Sequence, residues 1–379
     1  MAKRVTLGLM IGPAVPIPVD RTVIDALQSV QVTTSSANDT PSAFQLVFSL
    51  SNRSPLTTLF MLTGGAGIPL VRVVIMAIVD GTPEVLIDGV MTHHQFSPGA
   101  VGQAGTLTII GEDLSRVMDY ELFPADGTPY PAMPAEVRVL LMLAKYAMFG
   151  VVPLVIPSVL IDVPIPTDRI PRQQGSDLNY IRMLARDVGY TFYLRPGPVP
   201  GTSFAYWGPQ LKVGIPQPAL NLDMDAATNV RTLAFSYDSQ SYELPLLTIQ
   251  DQKTKVAITI PVPDVTPLSP PLGLVPPIPH GVRPINFGAK LSPVQAALIG
   301  IAKAAEAKQV VKGKGTLDVA RYGRPLKARE LVGVRGAGPA FDGLYFVESV
   351  TDEIKRGEYT QSFTLGRNGL VSTVPRVPV

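Results

Sequence analysis

Near its C-terminal end the chain reads Gly343-Leu-Tyr-Phe-Val-Glu-Ser-Val-Thr-Asp-Glu-Ile354, then Lys355-Arg-Gly-Glu358, then Tyr359-Thr-Gln-Ser-Phe-Thr-Leu365. Two runs rich in β-branched and aromatic residues flank a short polar turn with one glycine, which is the pattern of a long β-hairpin. A two-stranded hairpin is only marginally stable alone in water. We therefore expect this stretch to complete a larger sheet or barrel.

The alternation of side chains predicts the two faces of this hairpin, because successive residues of a strand point to opposite sides. Both faces carry apolar side chains. The predicted sets are Tyr359, Gln361, Phe363 and Leu365 on one face of the second arm, and Leu344, Phe346, Val350 and Ile354 on one face of the first arm, with Tyr345 and Val347 opposite.

The composition is that of a chain with much apolar surface. Of 379 residues, 16% are charged and 46% are hydrophobic, and the mean hydropathy is +0.25. The length suggests two or three domains. So few charges would leave large apolar patches on a monomer, and such patches mark contact sites. The composition favours a subunit of an assembly, and the alternative is a large monomer with a generous core.

Several classes of protein are disfavoured. A net charge of +2 gives no broad electrostatic attraction for nucleic acid. The absence of cysteine excludes disulfides, thiolate metal sites and a cysteine nucleophile. Apolar runs such as Val73–Val79 are far shorter than the roughly 18 residues that a membrane span needs. The 38 prolines suit many short strands joined by stiff connections.

The first third of the chain is predicted to be strand-rich. Short strands at a spacing of about ten residues are typical of a sandwich or barrel. Asp80-Gly-Thr-Pro83 is a plausible hairpin turn between two of them. We predict a helix at Asp20–Gln28, strands at Ser29–Thr34, Ser42–Leu50, Val71–Asp80, Glu84–Thr92 and Gly105–Gly111, and a helix at Glu112–Met118.

The middle of the chain is predicted to be helical, with helices near 135–149 and 176–188. Ser176 is a good N-cap for the second helix, and Gly189 a good residue to end it. We expect the first helix to be clamped in a domain or an interface by its apolar residues. These include Val137, Leu140, Leu141, Ala144 and Met148.

Strands return from Asn229 onward. A segment at 261–284 holds nine prolines, which favours polyproline II over a helix or a central strand. It is either a stiff surface excursion or a docking ligand for a partner. A further helix is predicted near 292–311, with Ser292 as its cap and Pro293 at its first position.

Candidate catalytic and metal-binding residues are few. His93 and His94 are adjacent in a strand, so they point to opposite faces and cannot readily share a metal. His280 stands alone. The stretch Gly333-Val-Arg-Gly-Ala-Gly338 lacks the GK[ST] ending of a phosphate-binding loop, which favours a tight strand connection.

Asp113, Asp187 and Glu348 could in principle supply a carboxylate pair for glycoside hydrolysis, but nothing in the sequence pairs them. Capping and rim roles explain these carboxylates more simply. We therefore predict no catalytic, cofactor-binding or metal-binding residues and no cofactor.

Four blocks together resemble the late control D family of phages. They are Gly111-Glu-Asp-Leu-Ser-Arg116, Gly175-Ser-Asp-Leu-Asn-Tyr-Ile-Arg-Met-Leu-Ala185, Thr316-Leu-Asp-Val-Ala-Arg-Tyr-Gly323 and the stretch Gly343–Arg367. The family contains baseplate hubs of contractile phage tails, hubs of extracellular contractile injection systems and the N-terminal part of type VI spike proteins. The chain is most similar to the stand-alone hubs of extracellular injection systems.

This resemblance implies a β-rich α+β fold: two β-barrel domains of the tube type, with an inserted α/β segment, assembling as a trimeric pseudo-sixfold ring. The implied domains are a first barrel at 1–115, an insertion at 116–225, a second barrel at 226–371 and a tail at 372–379. As the second barrel ends close to the last residue, we expect the spike to be a separate chain.

The implied function is that of a structural hub, not an enzyme. As a homotrimer it would join a hexameric inner tube to a separate trimeric spike, and it would contact baseplate wedge proteins. It would assemble in the bacterial cytoplasm and become part of a phage tail or an extracellular injection particle. The alternatives are a tail-associated cell-wall hydrolase and a β-rich adhesin or receptor-binding module.

Overall fold

The computed structural model describes most of the chain. The described residues are 4–13, 15–37, 40–50, 70–100, 104–120, 126–158, 163–167, 170–240, 242–250, 257–261, 270–286, 299–300, 309–374 and 377. Across these ranges no helix has both the length and the apolar character needed to cross a bilayer.

The described part is dominated by strands. The strands are β1 Val5–Gly12, β2 Ile17–Pro18, β3 Leu27–Ser35, β4 Ala43–Leu50, β5 Arg72–Val79, β6 Thr82–Ser97, β7 Gly105–Asp113, β8 Val151–Val155, β9 Thr191–Pro196, β10 Ser203–Gly208, β11 Gln217–Asn221, β12 Val230–Tyr237, β13 Glu243–Gln250, β14 Ala257–Pro261, β15 Gly273–Val275, β16 Gly281–Asn286, β17 Val311–Asp318, β18 Leu331–Arg335, β19 Gly343–Lys355, β20 Glu358–Arg367 and β21 Leu370–Ser372. The helices are α1 Arg21–Ala26, α2 Ser115–Asp119, α3 Ala135–Ala144, α4 Asp177–Asp187 and α5 Val319–Tyr322.

Thirteen strands form one large sheet. Its main path is β12-β17-β20-β19-β3-β4-β7-β6-β5-β1-β2, and β18 and β11 extend it beside β19. All ladders are antiparallel apart from the parallel β11–β18 pair. Within the described residues this path is open at both ends, so these strands do not close into a barrel. The β-rich prediction is confirmed, while the two barrels and the domain boundaries stay predictions.

The C-terminal hairpin is confirmed as β19 and β20. The turn lies at Arg356 and Gly357, and Gly357 has a φ of +78°, a left-handed conformation that glycine adopts without strain. In β20 the four predicted side chains from Tyr359 to Leu365 are all buried, and the hydroxyl side chains between them are more exposed.

The predicted faces of β19 are wrong in part. The β19–β20 ladder shifts register between Val347 and Ser349, and such a bulge moves the later residues to the other face. Val347 therefore lies with Val350 and Ile354 in the main core, together with Tyr345. Leu344 and Phe346 pack in a separate small cluster with Leu272 and Leu331.

The hairpin turn predicted between β5 and β6 is also confirmed. Asp80 and Gly81 have φ values of +54° and +82°. Positive φ at both central residues is the type I′ arrangement, which matches the twist of the flanking strands. In contrast, Glu112 and Asp113 continue β7 and the helix starts only at Ser115, because both residues pair with neighbouring strands.

The helical middle forms a second core. Helices α3 and α4 pack beside the three-stranded sheet β8-β10-β9 around Trp207, Tyr180 and Tyr146. Helix α4 begins as predicted, since the Ser176 hydroxyl accepts a hydrogen bond from the Asn179 N–H at 3.3 Å. Helix α3 ends earlier than predicted, at Ala144, and a 3-10 turn leads to the left-handed Gly150.

The proline-rich segment is not uniformly polyproline II. Gly273–Val275 pairs with β21, and Gly281–Asn286 pairs with β13, both in small peripheral sheets. These stretches contain non-proline residues with free N–H donors, which allow the pairing. Residues 262–269 lie outside the described part, as do 292–298 and 301–308 of the helix predicted near 292–311. Residues 299–300 are helical as predicted, while Val311 begins β17.

The large sheet contains the same five-strand unit twice. In the first unit the strands β3, β4, β5, β6 and β7 lie in the spatial order β3-β4-β7-β6-β5. In the second unit the strands β12, β17, β18, β19 and β20 lie in the order β12-β17-β20-β19-β18. Each strand of one unit thus has a counterpart at the same position in the other.

The two units also share two register shifts, while a third, at Ile75/Met76 between β5 and β6, has no counterpart between β18 and β19. Counting strands in chain order, one shared bulge lies in the ladder between the first and second strands of each unit. The other lies in the ladder between the fourth and fifth strands, which are β6 and β7 in the first unit and β19 and β20 in the second. The shared bulges lie at Leu27/Ser29 and Met91/His93 in the first unit and at Val230/Thr232 and Val347/Ser349 in the second. Beside the second bulge, the Met91 and Val347 N–H groups donate to the Val71 and Glu330 carbonyls, each at 2.9 Å. The duplication therefore extends to the level of residue register.

Candidate assembly interfaces

The two units are joined in the chain by one strand pairing, which we call the junction. Strand β3 of the first unit pairs antiparallel with β19 of the second, Ser29–Ser35 against Ser349–Lys355. The Thr33 and Thr351 hydroxyls lie 3.2 Å apart across it. The Ser36 N–H extends it by donating to the Glu348 carbonyl at 2.6 Å. The junction shows how one unit of this type pairs with another.

A buried carboxylate lies in the core beside this junction. Oδ1 of Asp352 accepts hydrogen bonds from the Tyr359 hydroxyl at 2.6 Å and from the Gln361 amide at 2.7 Å. Gln361 in turn bonds the backbone of Leu326 at both ends of its amide. Burial raises the pKa of Asp352 to about 6, and the two hydrogen bonds offset only part of that rise.

One face of the sheet around the junction is rich in hydroxyl groups. Besides the threonine pair at the junction, the Thr232 and Thr316 hydroxyls lie 2.8 Å apart on neighbouring strands. Ser349, Ser362 and Thr364 line the same shallow groove along β19 and β20. A polar, weakly charged face of this kind can remain in water while the opposite face is buried in the core.

Among the open strand edges of the described part, two belong to the duplicated five-strand units. Strand β12 ends the sheet and pairs only with β17. Strand β6 pairs with β7 as far as Ser97, but its pairing with β5 ends at Val90, so the following residues have a neighbour on one side only. Open edges present unpaired N–H and C=O groups, which are templates for another strand.

A second surface is apolar. On helix α3, Val137, Leu140 and Leu141 are each at least 40% exposed, and Met148 beyond the helix is 63% exposed. Val152 and Leu154 continue this surface on the neighbouring edge strand β8. In the single chain these residues are therefore not clamped within the domain, and their burial in an interface stays a prediction. The buried face consists of Glu136, Arg138, Val139, Met142 and Leu143.

The helical middle is tied to the large sheet by a buried ion pair. The Arg72 guanidinium donates two hydrogen bonds, of 2.6 and 2.7 Å, to Asp88 and a third, of 2.8 Å, to the Gly201 carbonyl. Both side chains are almost completely buried. Burial raises the pKa of Asp88, and the Arg72 charge and hydrogen bonds oppose that rise.

A cleft of about 490 Å³ lies between the helical middle and the sheet. Arg329 lies in its wall, with its guanidinium 4.1 Å from the centre of the Tyr193 ring and donating to the Ser35 carbonyl. Burial lowers the pKa of Arg329. Asp113 also lines the cleft and accepts hydrogen bonds from the backbone N–H groups of Ser42 and Ser115. Arg329 and Asp113 thus link segments that are distant in the chain: Arg329 bonds to Ser35, and Asp113 bonds to Ser42.

The histidines and the glycine-rich stretch take structural positions. His93 and His94 lie on adjacent, oppositely directed positions of β6, and His280 is exposed before β16. Among the described residues no group of three or more histidines and carboxylates could hold a metal. Gly333–Gly338 ends β18 and turns toward β19, with Gly336 and Gly338 at positive φ. No helix N-terminus follows it, so it is a strand connection.

The three carboxylates considered for glycoside hydrolysis have separate surroundings. Asp113 accepts a hydrogen bond from the Ser115 N–H at the start of helix α2, and Glu348 forms an ion pair with Lys312. Asp187 ends helix α4, where burial raises the pKa of its carboxyl. The structure does not link these side chains to one another by any hydrogen bond or ion pair in the described residues.

Sequence reasoning missed the residues that hold the sheet together. Asp352 stands at an inward position of β19 between Val350 and Ile354. A carboxylate at a core-facing position needs buried hydrogen-bond donors, so this alternation could have predicted a buried polar cluster. No sequence pattern predicts the Arg72–Asp88 pair. It depends on the register between β5 and β6 and on the contact with Gly201, which is distant in the chain.

Solved structures with a similar fold include two phage tail proteins. A tail protein from Neisseria meningitidis MC58 superposes with a TM-score of 0.61 at 12% identity, covering 97% of this chain and 98% of that one. The 43 kDa tail protein of prophage MuSo2 from Shewanella oneidensis superposes with a TM-score of 0.58 at 12% identity, covering 96% and 98%.

A third similar structure is a component of the type VI secretion system of Escherichia coli, itself similar to T4 phage tail proteins. Its TM-score is 0.51 at 12% identity, and the match covers 93% of this chain and 78% of that one. No protein-family model matches the chain, and no curated protein matches it in sequence. Over nearly its whole length, the chain has the fold of these phage tail proteins and of this type VI secretion component.

Proposed function

We propose that the protein is a structural baseplate hub of a contractile particle, a homotrimer that joins a hexameric inner tube to a separate trimeric spike. The observation that carries this proposal is the fold shared with phage tail proteins over nearly the whole chain. The duplicated five-strand unit supports it, because three copies of a chain with two such units supply six equivalent positions around a threefold axis.

The chemistry of the described residues agrees with a role without catalysis. Three carboxylates in the cleft and cores, Asp113, Asp88 and Asp352, each have backbone or side-chain hydrogen-bond partners. The exposed apolar surface of α3 and β8 suits burial against further components, such as the spike or baseplate wedge proteins. Assembly would take place in the bacterial cytoplasm, before incorporation into a phage tail or an injection particle.

Mass measurement by light scattering tests this proposal. The full chain is measured alone and after co-expression with candidate tube and spike proteins from the same genome. We expect a species of three chains, and negative-stain images of the complex should show a ring between tube and spike. A single-chain mass under both conditions, or hydrolysis of purified peptidoglycan by the chain, would overturn the proposal.

A further inference from the structure

We infer that the open edge of β12 pairs antiparallel with the free end of β6 in a second copy of this chain, repeating between chains the junction that β3 and β19 form within one chain. This inference rests on the proposed ring, which this strand pairing would close. The partner of each open edge is then a second copy of the same protein.

The argument starts from the correspondence between the two units. Strand β12 of the second unit is the counterpart of β3, and β6 of the first unit is the counterpart of β19. Within the chain, the outer edge of β3 is covered by the second half of β19. The outer edge of β12 and the second half of β6 are the corresponding surfaces, and both are open in the described part.

The shared bulges determine the register of this pairing. Leu27 corresponds to Val230, and Met91 corresponds to Val347. Counting from these positions, Ser236 is the counterpart of Thr33 and Gln95 is the counterpart of Thr351. Because Thr33 and Thr351 lie opposite each other at the junction, Ser236 should lie opposite Gln95 of the next copy. The full set of expected pairs is Ala234 with Ser97, Phe235 with Phe96, Ser236 with Gln95, and Tyr237 with His94.

The side chains at both edges suit burial of one face and hydration of the other. Phe96 is 42% exposed and Tyr237 is 40% exposed. The junction counterpart of Phe96 is the buried Asp352, and the counterpart of Tyr237 is the half-buried Thr34, on the same face of β3 as the buried Val32. In the expected register the ring of Phe96 meets Phe235. Ser236, Gln95 and Ser97 lie on the other face, where they extend the hydroxyl-rich face from one copy to the next.

Neither edge carries the features that usually prevent strand addition. Edge strands are commonly protected by lysine, proline or inward-pointing charges. The free end of β6, residues 92–97, has no charged residue and no proline, and β12 has only Arg231. Arg231 is held beside its own chain by Asp318 and Glu358, at 3.1 and 2.7 Å. An edge of this composition is suited to pairing with another strand.

The contact is heterologous, since β12 of one copy meets β6 of the next. A heterologous contact forms a ring if the rotation closes and a filament if it does not. Within one chain, the junction pairs the two units in the same way. Around the ring, pairings within a chain therefore alternate with pairings between chains. Three chains then contribute three junctions and three intermolecular pairings.

Disulfide trapping tests the register, and the absence of native cysteine makes the experiment clean. The full chain carrying Ser236→Cys and Gln95→Cys is oxidised mildly and run on a denaturing gel without reductant. We expect covalent species of two and three chains that return to single chains on reduction. Thr33→Cys with Thr351→Cys is the matched control, because it places the same pair at the junction and should form a disulfide within one chain.

A variant with Thr232→Cys and Gln95→Cys is the register control. These residues would lie about four positions out of register, roughly 13 Å along the strand, and should not crosslink. If the junction control forms its disulfide and light scattering gives three chains, but Ser236 and Gln95 do not crosslink, the pairing is overturned while the hub function stands. Crosslinking of the out-of-register variant instead would also overturn it.

A charge at the contact supplies an independent measurement. Phe96→Asp should abolish the three-chain species at concentrations where the parent chain is fully assembled, because it buries a carboxylate in the pairing. Ile215→Asp, at a side chain that is 94% exposed, is the control and should leave the mass unchanged. Full assembly of the Phe96 variant would contradict the inference. A parent chain that stays single with its partners present would overturn the hub function as well.

Discussion

The Tyr359 hydroxyl donates a 2.6 Å hydrogen bond to Oδ1 of Asp352, across the hairpin formed by β19 and β20. The same oxygen accepts the Gln361 amide, so one carboxylate oxygen collects both donors from the partner strand. Asp352 lies opposite Val32 of β3 at the junction of the two units. A titratable group thus occupies the core where the two halves of the large sheet meet.

The stability of the protein should depend on the ionisation of Asp352. The pKa of its carboxyl rises from 3.8 to about 6 on folding, so between these values the folded chain binds more protons than the unfolded chain. The free energy of unfolding therefore falls as pH rises through this window, by an amount on the order of 2–3 kcal/mol for this group.

Asp352→Asn tests this dependence, because its amide oxygen can still accept from Tyr359 and Gln361. We expect the stability difference between the parent chain and the variant to shift in favour of the variant as pH rises from about 4 to 6. Urea unfolding across the range gives both curves. A difference that stays constant with pH would show that Asp352 does not titrate as described.

The Arg72–Asp88 ion pair should be costly to break. Asp88→Ala leaves the Arg72 guanidinium buried without its carboxylate, which we expect to cost about 3–5 kcal/mol of unfolding free energy. The double variant Arg72→Met with Asp88→Leu should lose less than the single one, since no buried charge remains. Denaturant unfolding measures both. Glu353→Ala, which breaks an exposed pair with Lys355, should change stability by less than about 1 kcal/mol.

Gly111 should not tolerate a side chain. A Cβ atom there would lie 2.3 Å from the Phe44 ring and 2.3 Å from the Val90 carbonyl oxygen. Gly111→Ala should therefore destabilise the fold by about 1–3 kcal/mol through overpacking between β4 and β6. Gly281→Ala is the control, because a Cβ there meets nothing within 4 Å and should change stability by less than about 0.5 kcal/mol. Equal melting temperatures for the two variants would contradict this account.

The two faces of helix α3 should respond differently to the same substitution. Leu143 is fully buried, so Leu143→Ala should lower the unfolding free energy by about 2–5 kcal/mol. Leu141 is 47% exposed, so Leu141→Ala should change it by less than about 0.5 kcal/mol in the single chain. Thermal unfolding of the two variants compares them directly. A large loss for Leu141→Ala without assembly would place this residue in the core instead.

The β-rich character, the C-terminal hairpin, the Asp80–Gly81 turn and the Ser176 cap could all be predicted from residues close together in the chain. The failures share a different cause. The face of Leu344 and Phe346 depends on a bulge opposite β20, and the buried face of α3 depends on which side the β8 sheet approaches. Local periodicity shows which residues share a face of a strand or helix. It does not show which of the two faces is buried.

Residue order alone thus accounts for the individual strands, turns and caps, since alternation, left-handed glycines and capping hydroxyls act over a few residues. The folded chain was needed to define the duplicated five-strand unit, because the likeness of its two copies lies in strand order and bulge positions. It was needed equally for the partners of Asp352 and Arg72. Ladders and buried pairs join residues that are distant in the chain, and their energies depend on a register that no short stretch contains.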